Sequence, residues 1–136
     1  LCANVEIKPG PGREAETGAR VAADCARLFA GQPQLPLLSS FSVAALAAAR
    51  DAAPQLPRAL LLTEWREDWL AQAQALGVCA IDLDWRVLNA ERVAAIHQAG
   101  LWLLSWTVND ADTAQALWEM GVDALCTDAP DELAAG

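Results

Sequence analysis

The sequence has few of the residue types that common functional sites depend on. It contains one histidine and no tyrosine, and 18 acidic side chains outnumber 9 basic ones, for a net charge of −9. A metal site built from cysteine and histidine is therefore not expected. A nucleic-acid partner is not expected either, because such a protein needs a basic patch. The negative charge also argues against adsorption to an anionic membrane.

Long apolar runs and close cysteine pairs are missing as well. No run approaches the roughly 20 residues of a membrane span, and no signal-peptide pattern is present. The four cysteines have no CxxC spacing, which predicts reduced thiols in a cytoplasmic protein. They are Cys2, Cys25, Cys79 and Cys126. Nucleotide-binding and protease motifs of the GxGxxG, P-loop, GxSxG and HExxH types are also missing.

The chain does contain a regular alternation of strand-like and Ala-rich helical segments. The predicted strands are 2–8, 36–41, 58–63, 78–84, 101–108 and 122–127. The predicted helices are 13–30, 42–53, 65–76, 90–99, 110–120 and 130–135. One strand–helix unit per roughly 20–25 residues is typical of a parallel sheet with helical crossovers.

Six such units without a GxGxxG motif predict an α/β fold of the (β/α) TIM-barrel type, incomplete here, with about six of the eight units. Residues 1–136 are expected to form this single partial domain. A doubly wound sheet is the alternative. Polar residues at the carboxyl ends of the strands favour the barrel, because those ends form the mouth where barrel sites are built.

The segment "NVEIK" places Glu6 and Lys8 on one face of the first strand, with Cα atoms roughly 6.5–7 Å apart. A carboxylate can hold Mg²⁺ or Ca²⁺, and an ammonium can hold a phosphate oxygen. The pair could therefore bind a metal–phosphate unit. The alternative is a structural Glu–Lys ion pair at a barrel rim.

Four other residues could belong to a site or have only a structural role. Trp106 ends the run "LWLLSW" and could form a flat apolar wall for a substrate or be a core aromatic residue. Asp82 and Asp84 share one strand face, where they could assist a metal, or Asp84 could cap a turn or face solvent. His97 lies on a predicted helix far from the strand ends, and we expect it to have no catalytic role.

Four motifs resemble a known family in the same order. "NVEIKPGPGREAETG", "LPLLSSF", "WTVND" and "GVDALCTDAP" resemble segments of the glycerophosphodiester phosphodiesterases. "APQLPRALLLTEWREDWL" is similar to the bacterial cytosolic branch of that family. The resemblance spans essentially the whole chain.

The resemblance implies a metal-dependent enzyme that hydrolyses glycerophosphodiesters, such as glycerophosphocholine, to glycerol 3-phosphate and an alcohol. It implies that Glu6 is a ligand of a divalent metal, Mg²⁺ or Ca²⁺. It also implies that Lys8 lies at the phosphate and that Trp106 lines the substrate pocket.

The sequence departs from the family at its catalytic histidines. The family has a His-Arg-Gly strand end, a Glu-x-Asp strand and a His-Asp pair, and none of them occurs here. We therefore expect the C-terminal portion of the family barrel, without its first two strands, and no catalytic residue within this chain. The 136 residues alone should be inactive, although the parent protein should be an enzyme.

Two alternatives to this function stay open. The chain could be a non-catalytic partial barrel that self-associates, because unprotected sheet edges invite pairing and could make it a homo-oligomer. A related phospholipid or sphingolipid phosphodiesterase is the other alternative.

Overall fold

The structure, a computed structural model, describes residues 3–133 and divides them into two compact units. The first contains the chain up to Leu61 together with Glu67–Cys79, and the second contains Leu62–Arg66 and the chain from Ala80. Each unit is a series of strands alternating with helices. We describe the units separately.

The first unit contains three parallel strands. Its elements are β1 (Asn4–Glu6), α1 (Glu14–Leu28), β2 (Leu37–Ser40), α2 (Val43–Ala52), β3 (Arg58–Leu62, whose last residue belongs to the second unit) and α3 (Trp69–Leu76). Val5 of β1 lies opposite Leu38 of β2, and Ser39 of β2 lies opposite Ala59 of β3. The parallel register places the carboxyl ends of β1 and β2 at the same edge.

The second unit repeats the alternation. Its elements are β4 (Ala80–Asp84), a 3-10 turn (Trp85–Val87), α4 (Ala90–Gln98), β5 (Trp102–Trp106), α5 (Ala111–Met120), β6 (Ala124–Leu125) and α6 (Pro130–Leu133). Ile81 lies opposite Leu103, and Leu104 opposite Ala124, in parallel pairs. The predicted fold class is thus confirmed: an α/β fold made of part of a (β/α) barrel. The expectation of a single domain stays a prediction.

Helices α1 and α2 pack closely because small residues line their contact. A Cβ atom added to Gly18 of α1 would lie 2.1 Å from the backbone oxygen of Ala45 in α2. Ala22 and Ala49 are fully buried beside them. The Ala-rich helical stretches of the sequence therefore provide close helix packing in this unit.

Side-chain caps and glycines define several of the helix ends. Ser42, Asn89 and Asp110 each accept a hydrogen bond from the backbone N–H three residues ahead, as N-cap residues do. Gly77 and Gly121 end α3 and α5 with φ angles of 61° and 101°, where a side chain would be strained.

Several element boundaries differ from the prediction. β1 is three residues long because Pro9 and the turn after it end the pairing with β2. α3 begins at Trp69 instead of 65, since the residues before it form a loop, and the 3-10 turn at Trp85–Val87 was not predicted. The predicted element ends at residue 2 and at 134–135 lie outside the described residues.

Arg58 is a buried charge at the start of β3 that the sequence pattern does not reveal. The residue is 6% exposed, and its guanidinium donates to the carbonyl oxygens of Leu56 at 2.8 Å and Gly77 at 3.1 Å. Burial lowers the pKa of this guanidinium. Arg58 therefore ties the start of β3 to the end of α3.

Within the described part of the chain Cys25 is a buried free thiol, whereas Cys79 and Cys126 are free thiols that are only partly buried; Cys2 lies outside that part, and the reduced state of the four cysteines stays a prediction. Burial raises the pKa of the Cys25 thiol.

Within residues 3–133, every helix is too short or too polar to cross a bilayer. The cytoplasmic location stays a prediction.

Candidate functional site

Glu6 and Lys8 lie together at the carboxyl end of β1. The Lys8 Nζ atom is 3.5 Å from the Glu6 Oε2 atom, and the two side chains are 74% and 34% exposed, respectively. An ion pair this exposed contributes only about 0–1 kcal/mol to stability, so a ligand can replace it at little cost. Both charges are therefore available to a bound molecule.

The backbone between these two residues is anchored to β2. The Ile7 side chain is 2% exposed and packs in the core of the first unit. Its N–H donates to the Ser39 carbonyl oxygen at 2.7 Å, and its carbonyl oxygen accepts from the Ser40 hydroxyl at 2.7 Å. With Ile7 pointing inward, its neighbours Glu6 and Lys8 both point outward.

The Glu6–Lys8 pair forms part of the wall of a cleft of about 400 Å³. The cleft lies where β1 and β2 end and where α1 and α2 begin. Its lining residues are Glu6, Ile7, Lys8, Pro9, Glu14, Ser40, Phe41 and Ser42. The polar face of "NVEIK" thus opens onto a space large enough for a small molecule.

Sequence reasoning missed Glu14 as a lining residue. The turn around Gly12, whose φ is 75°, brings the first residue of α1 back to the end of β1. The Glu14 Oε1 atom accepts a hydrogen bond from the Gly12 N–H at 3.2 Å. The Pro-Gly-Pro-Gly sequence before the helix was the available signal, since it marks a tight reversal.

The donor set of this cleft does not by itself make a complete site for Mg²⁺ or Ca²⁺, which need six or more oxygen ligands. Glu6 and Glu14 are its only carboxylates, and the Ser40 hydroxyl is engaged with the Ile7 carbonyl. Among the described residues, no three side chains of His, Cys, Asp or Glu are grouped so that they could hold a metal ion.

Trp106 ends β5 in the second unit and is half-buried. Its indole Nε1–H lies 3.4 Å from the Asp82 carbonyl oxygen. This long contact orients the ring against β4 while leaving part of it accessible. Because Trp106 and Glu6 belong to different units, their predicted meeting at one mouth stays a prediction.

The two aspartates of β4 have different surroundings. Asp82 is 1% exposed, with the Cys126 Sγ atom 4.0 Å from one carboxylate oxygen. Asp84 caps the 3-10 turn, since its Oδ1 atom accepts from the Arg86 N–H at 3.0 Å, and it forms an ion pair with the Arg86 guanidinium. Of the two interpretations for Asp84, the structure supports the cap.

His97 lies in the last turn of α4, away from the carboxyl ends of the strands. Its Nε2 atom is 2.8 Å from Asp123 Oδ2, which also accepts from the Leu103 N–H at 2.8 Å. This contact joins α4 to the segment before β6. The expectation that His97 has no catalytic role stays a prediction.

Comparison with known proteins identifies the class to which this fold and cleft belong. Residues 3–132 match the model of the glycerophosphoryl diester phosphodiesterase family. A stretch of 44 residues, 32% of the chain, is 46% identical to YhdW of Bacillus subtilis (strain 168), a candidate glycerophosphodiester phosphodiesterase of which this stretch covers 18%. The chain belongs to the glycerophosphoryl diester phosphodiesterase family.

Solved structures agree with this assignment. A phosphodiesterase of Oleispira antarctica, solved in complex with the product sn-glycerol-3-phosphate, is 26% identical over 99% of this chain, with a TM-score of 0.91. A candidate family member from Silicibacter pomeroyi is 27% identical over 97% of this chain, with a TM-score of 0.83. The chain spans about half the length of these proteins, 54% and 48% respectively.

Proposed function

We propose that the natural polypeptide containing this chain hydrolyses glycerophosphodiesters to glycerol 3-phosphate and an alcohol. The observation that carries the proposal is the placement of Glu6 and Lys8, 3.5 Å apart on the wall of a cleft at a strand end. A phosphodiester is an anion, and in a chain with a net charge of −9 it needs a local positive charge to bind. Lys8 is the only lysine in the sequence.

The proposed roles follow from the charges of the two residues. Hydrolysis of a phosphodiester builds up negative charge on the phosphoryl oxygens, and a positioned cation stabilises it. The Lys8 ammonium, with three donors, would bind one of these oxygens. We propose that Glu6 contributes one carboxylate ligand to a divalent metal, Mg²⁺ or Ca²⁺, which would neutralise phosphate charge when bound. The described residues do not complete that metal site.

We also propose that Trp106 forms an apolar wall for the organic part of the substrate. Its partial exposure at the end of β5 supports this role. The leaving alcohol stays unspecified, because the cleft beside Glu6 and Lys8 offers Phe41, which is 48% exposed, as well as polar groups.

The resemblance to the family implies two histidines as acid and base, and the lining of the cleft contains no histidine. The one histidine is engaged with Asp123 in the second unit. We propose that the acid and the base lie outside these 136 residues and that the isolated chain is inactive. Acid–base groups contribute typically about 10²–10⁴-fold to such rates.

The test is a product assay on the longest natural polypeptide that contains this chain. Glycerol 3-phosphate release is measured from glycerophosphocholine, glycerophosphoethanolamine and glycerophosphoglycerol, and a lysophospholipid and sphingomyelin serve as alternative substrates. We expect release from the glycerophosphodiesters that EDTA abolishes and that Mg²⁺ or Ca²⁺ restores.

The isolated 136-residue chain is the matched control, and it should give no product above background. Cleavage of the lipids alone would assign the protein to a related phosphodiesterase reaction. No cleavage of any diester by the long polypeptide would contradict the proposal. Light scattering on the isolated chain tests self-association through β1 and β6, the first and last strands of the series.

A further inference from the structure

The end of β1 depends on one buried hydroxyl group. Ser40, the last residue of β2, has no exposed surface, and its Oγ atom lies 2.7 Å from the Ile7 carbonyl oxygen. That carbonyl belongs to the peptide group that joins Ile7 to Lys8. The preceding peptide group, between Glu6 and Ile7, is held by the backbone bond from the Ile7 N–H to Ser39.

These two hydrogen bonds, which anchor the peptide groups on either side of Ile7, depend on the sequence in different ways. The Ser39 carbonyl is backbone and would be present with any residue at that position. The second anchor exists only because residue 40 carries a hydroxyl group. The orientation of the peptide group that leads into Lys8 is therefore set by a side chain.

The direction of the Ser40 hydrogen bonds is fixed by their partners. The Ser40 Oγ atom accepts from the Ser42 N–H at 3.1 Å, and the Ile7 carbonyl has no proton to donate. The Ser40 hydroxyl must therefore donate to Ile7. Ser42 in turn caps α2, so a continuous path runs from the start of α2 to the backbone at Lys8.

We infer that Ser40 is a positioning residue, which holds the Glu6–Lys8 segment in the orientation that presents both charges to the cleft. The inference rests on the proposed function, because the positioned charges are those assigned to metal and phosphate. Although Ser40 lines the cleft, its hydroxyl proton is committed to Ile7, so it acts through the segment it holds.

The first test compares variants of the natural polypeptide. Ser40→Ala removes the donor, and Ser40→Cys keeps a similar size but donates weakly. Ser39→Ala is the matched control, since Ser39 is equally buried on the same strand and its hydroxyl donates to Asn4 Oδ1 at 2.8 Å, at the start of β1. Tm is measured for each variant, and kinetics are measured well below the lowest Tm.

We expect both Ser40 variants to lose about tenfold or more in kcat, because small displacements of positioned groups can cost up to about 10²-fold. KM should change less than kcat, since the lost interaction acts mainly in the transition state. Ser39→Ala should lower Tm comparably while losing much less kcat. Equal kcat losses for Ser39 and Ser40 variants of matched Tm would overturn the inference.

A second readout does not depend on activity. The Ile7 amide is buried and hydrogen-bonded, so its hydrogen exchange reports opening at the end of β1. In Ser40→Ala its exchange should accelerate by about tenfold or more relative to amides of β3, and in Ser39→Ala much less. Unchanged exchange at Ile7 in Ser40→Ala would overturn the inference.

Kinetics and hydrogen exchange together distinguish a failure of the proposed function from a failure of the positioning role. If the wild-type polypeptide cleaves no diester, the proposed function fails, and the exchange at Ile7 still shows whether Ser40 holds the segment. If the wild type is active and the Ser40 variants match the Ser39 control in kcat, only the positioning role fails.

Discussion

A similar buried hydroxyl contact occurs in both units, at strand ends with different charges. In the first unit Ser40 donates to Ile7, which lies between Glu6 and Lys8. In the second unit Ser105, also fully buried, donates to the Leu83 carbonyl oxygen at 2.7 Å. Each serine anchors the peptide carbonyl of an apolar residue that has a charged residue on either side.

The neighbours of the anchored residue differ in charge and exposure. Leu83 lies between two aspartates, of which Asp82 is almost completely buried and Asp84 caps a turn. Glu6 and Lys8, by contrast, have opposite charges and open onto a cleft. The serine–carbonyl contact by itself is therefore structural. It becomes part of a site only where the charges beside it are complementary to a ligand and accessible.

The largest difference is expected between two strand-end carboxylates, those of Glu6, whose side chain is 34% exposed, and Asp84, whose side chain is 14% exposed. In the natural polypeptide, Glu6→Gln should reduce turnover by about 10²-fold or more, because it removes the charged carboxylate proposed as a metal ligand while keeping the shape of the side chain. The matched change Asp84→Asn should leave turnover within about threefold, since an amide can still cap the 3-10 turn. Steady-state glycerol 3-phosphate release measures both. A larger loss in Asp84→Asn than in Glu6→Gln would reverse the assignment of the two strand ends.

Lys8 and Arg86, the cations at the two strand ends, should also differ in how much their replacement lowers kcat/KM. Lys8→Met keeps the length of the side chain but removes the ammonium proposed to bind the phosphate, and kcat/KM should fall by about 10–100-fold, since a hydrogen bond to a charged group contributes about 1.5–3 kcal/mol. Arg86→Met removes the ion pair with Asp84 and should change kcat/KM by less than about threefold, because exposed pairs contribute little. The comparison fails if both cations prove equally important for kcat/KM.

Removing the Ser105 hydroxyl group in the second unit should affect stability more than catalysis. Ser105→Ala leaves the buried Leu83 carbonyl without its donor, which costs about 1–3 kcal/mol of unfolding free energy. Urea unfolding measures this loss, and kcat should fall less than in Ser40→Ala. An equal fall in kcat would show that the second unit contributes as directly to catalysis as the first.

The helix caps that follow these strands should respond differently to acid. Asp110 caps α5, and the hydrogen bond from the Thr113 N–H lowers the pKa of its carboxyl group, whereas the cap of α2 is the uncharged Ser42. A lowered folded-state pKa stabilises the protein above about pH 4, and the contribution is lost as the pH falls through that pKa.

Replacing the charged cap therefore tests this dependence. The Tm of Asp110→Asn relative to wild type should rise as the pH falls from about 5 to 2. The wild type loses its charged cap when Asp110 is protonated, whereas Asn is a comparable cap that does not titrate. Asp112→Asn, in the same helix turn, is the control. A constant Tm difference across this range would contradict the role of the Asp110 charge.

The smallest effect is expected at the one histidine. His97→Ala removes a contact to Asp123 and should leave turnover nearly unchanged, with at most about 1 kcal/mol lost in stability. Turnover of the His97→Ala polypeptide measures this directly. A strong loss at unchanged Tm would show that the acid–base chemistry has been assigned to the wrong place.

The sequence predicts most of the fold because its signals are local. The strand–helix alternation, the caps at Ser42, Asn89 and Asp110, and the glycines that end α3 and α5 all follow from short-range patterns. The outward placement of Glu6 and Lys8 follows from strand alternation. The placement of Trp106 at a strand end is predicted in the same way.

Other features depend on contacts between segments distant in sequence. The buried Arg58 guanidinium donates to carbonyl groups of two different loops, and no sequence pattern around residue 58 indicates these contacts. Glu14 reaches the cleft through a chain reversal. The Ser40 hydroxyl could be noted as a polar strand end, but its acceptor lies 33 residues away.

The most direct test of the account is to locate the phosphate. An NMR titration of the ¹⁵N-labelled natural polypeptide with glycerol 3-phosphate, in the presence of Mg²⁺, follows the backbone amides of both units. We predict that the largest shift changes fall on residues 6–8 and 40–42, that they saturate, and that Lys8→Met weakens them. Saturable binding whose largest shifts fall at the Asp84–Arg86 turn, with residues 6–8 and 40–42 unaffected, would contradict the account.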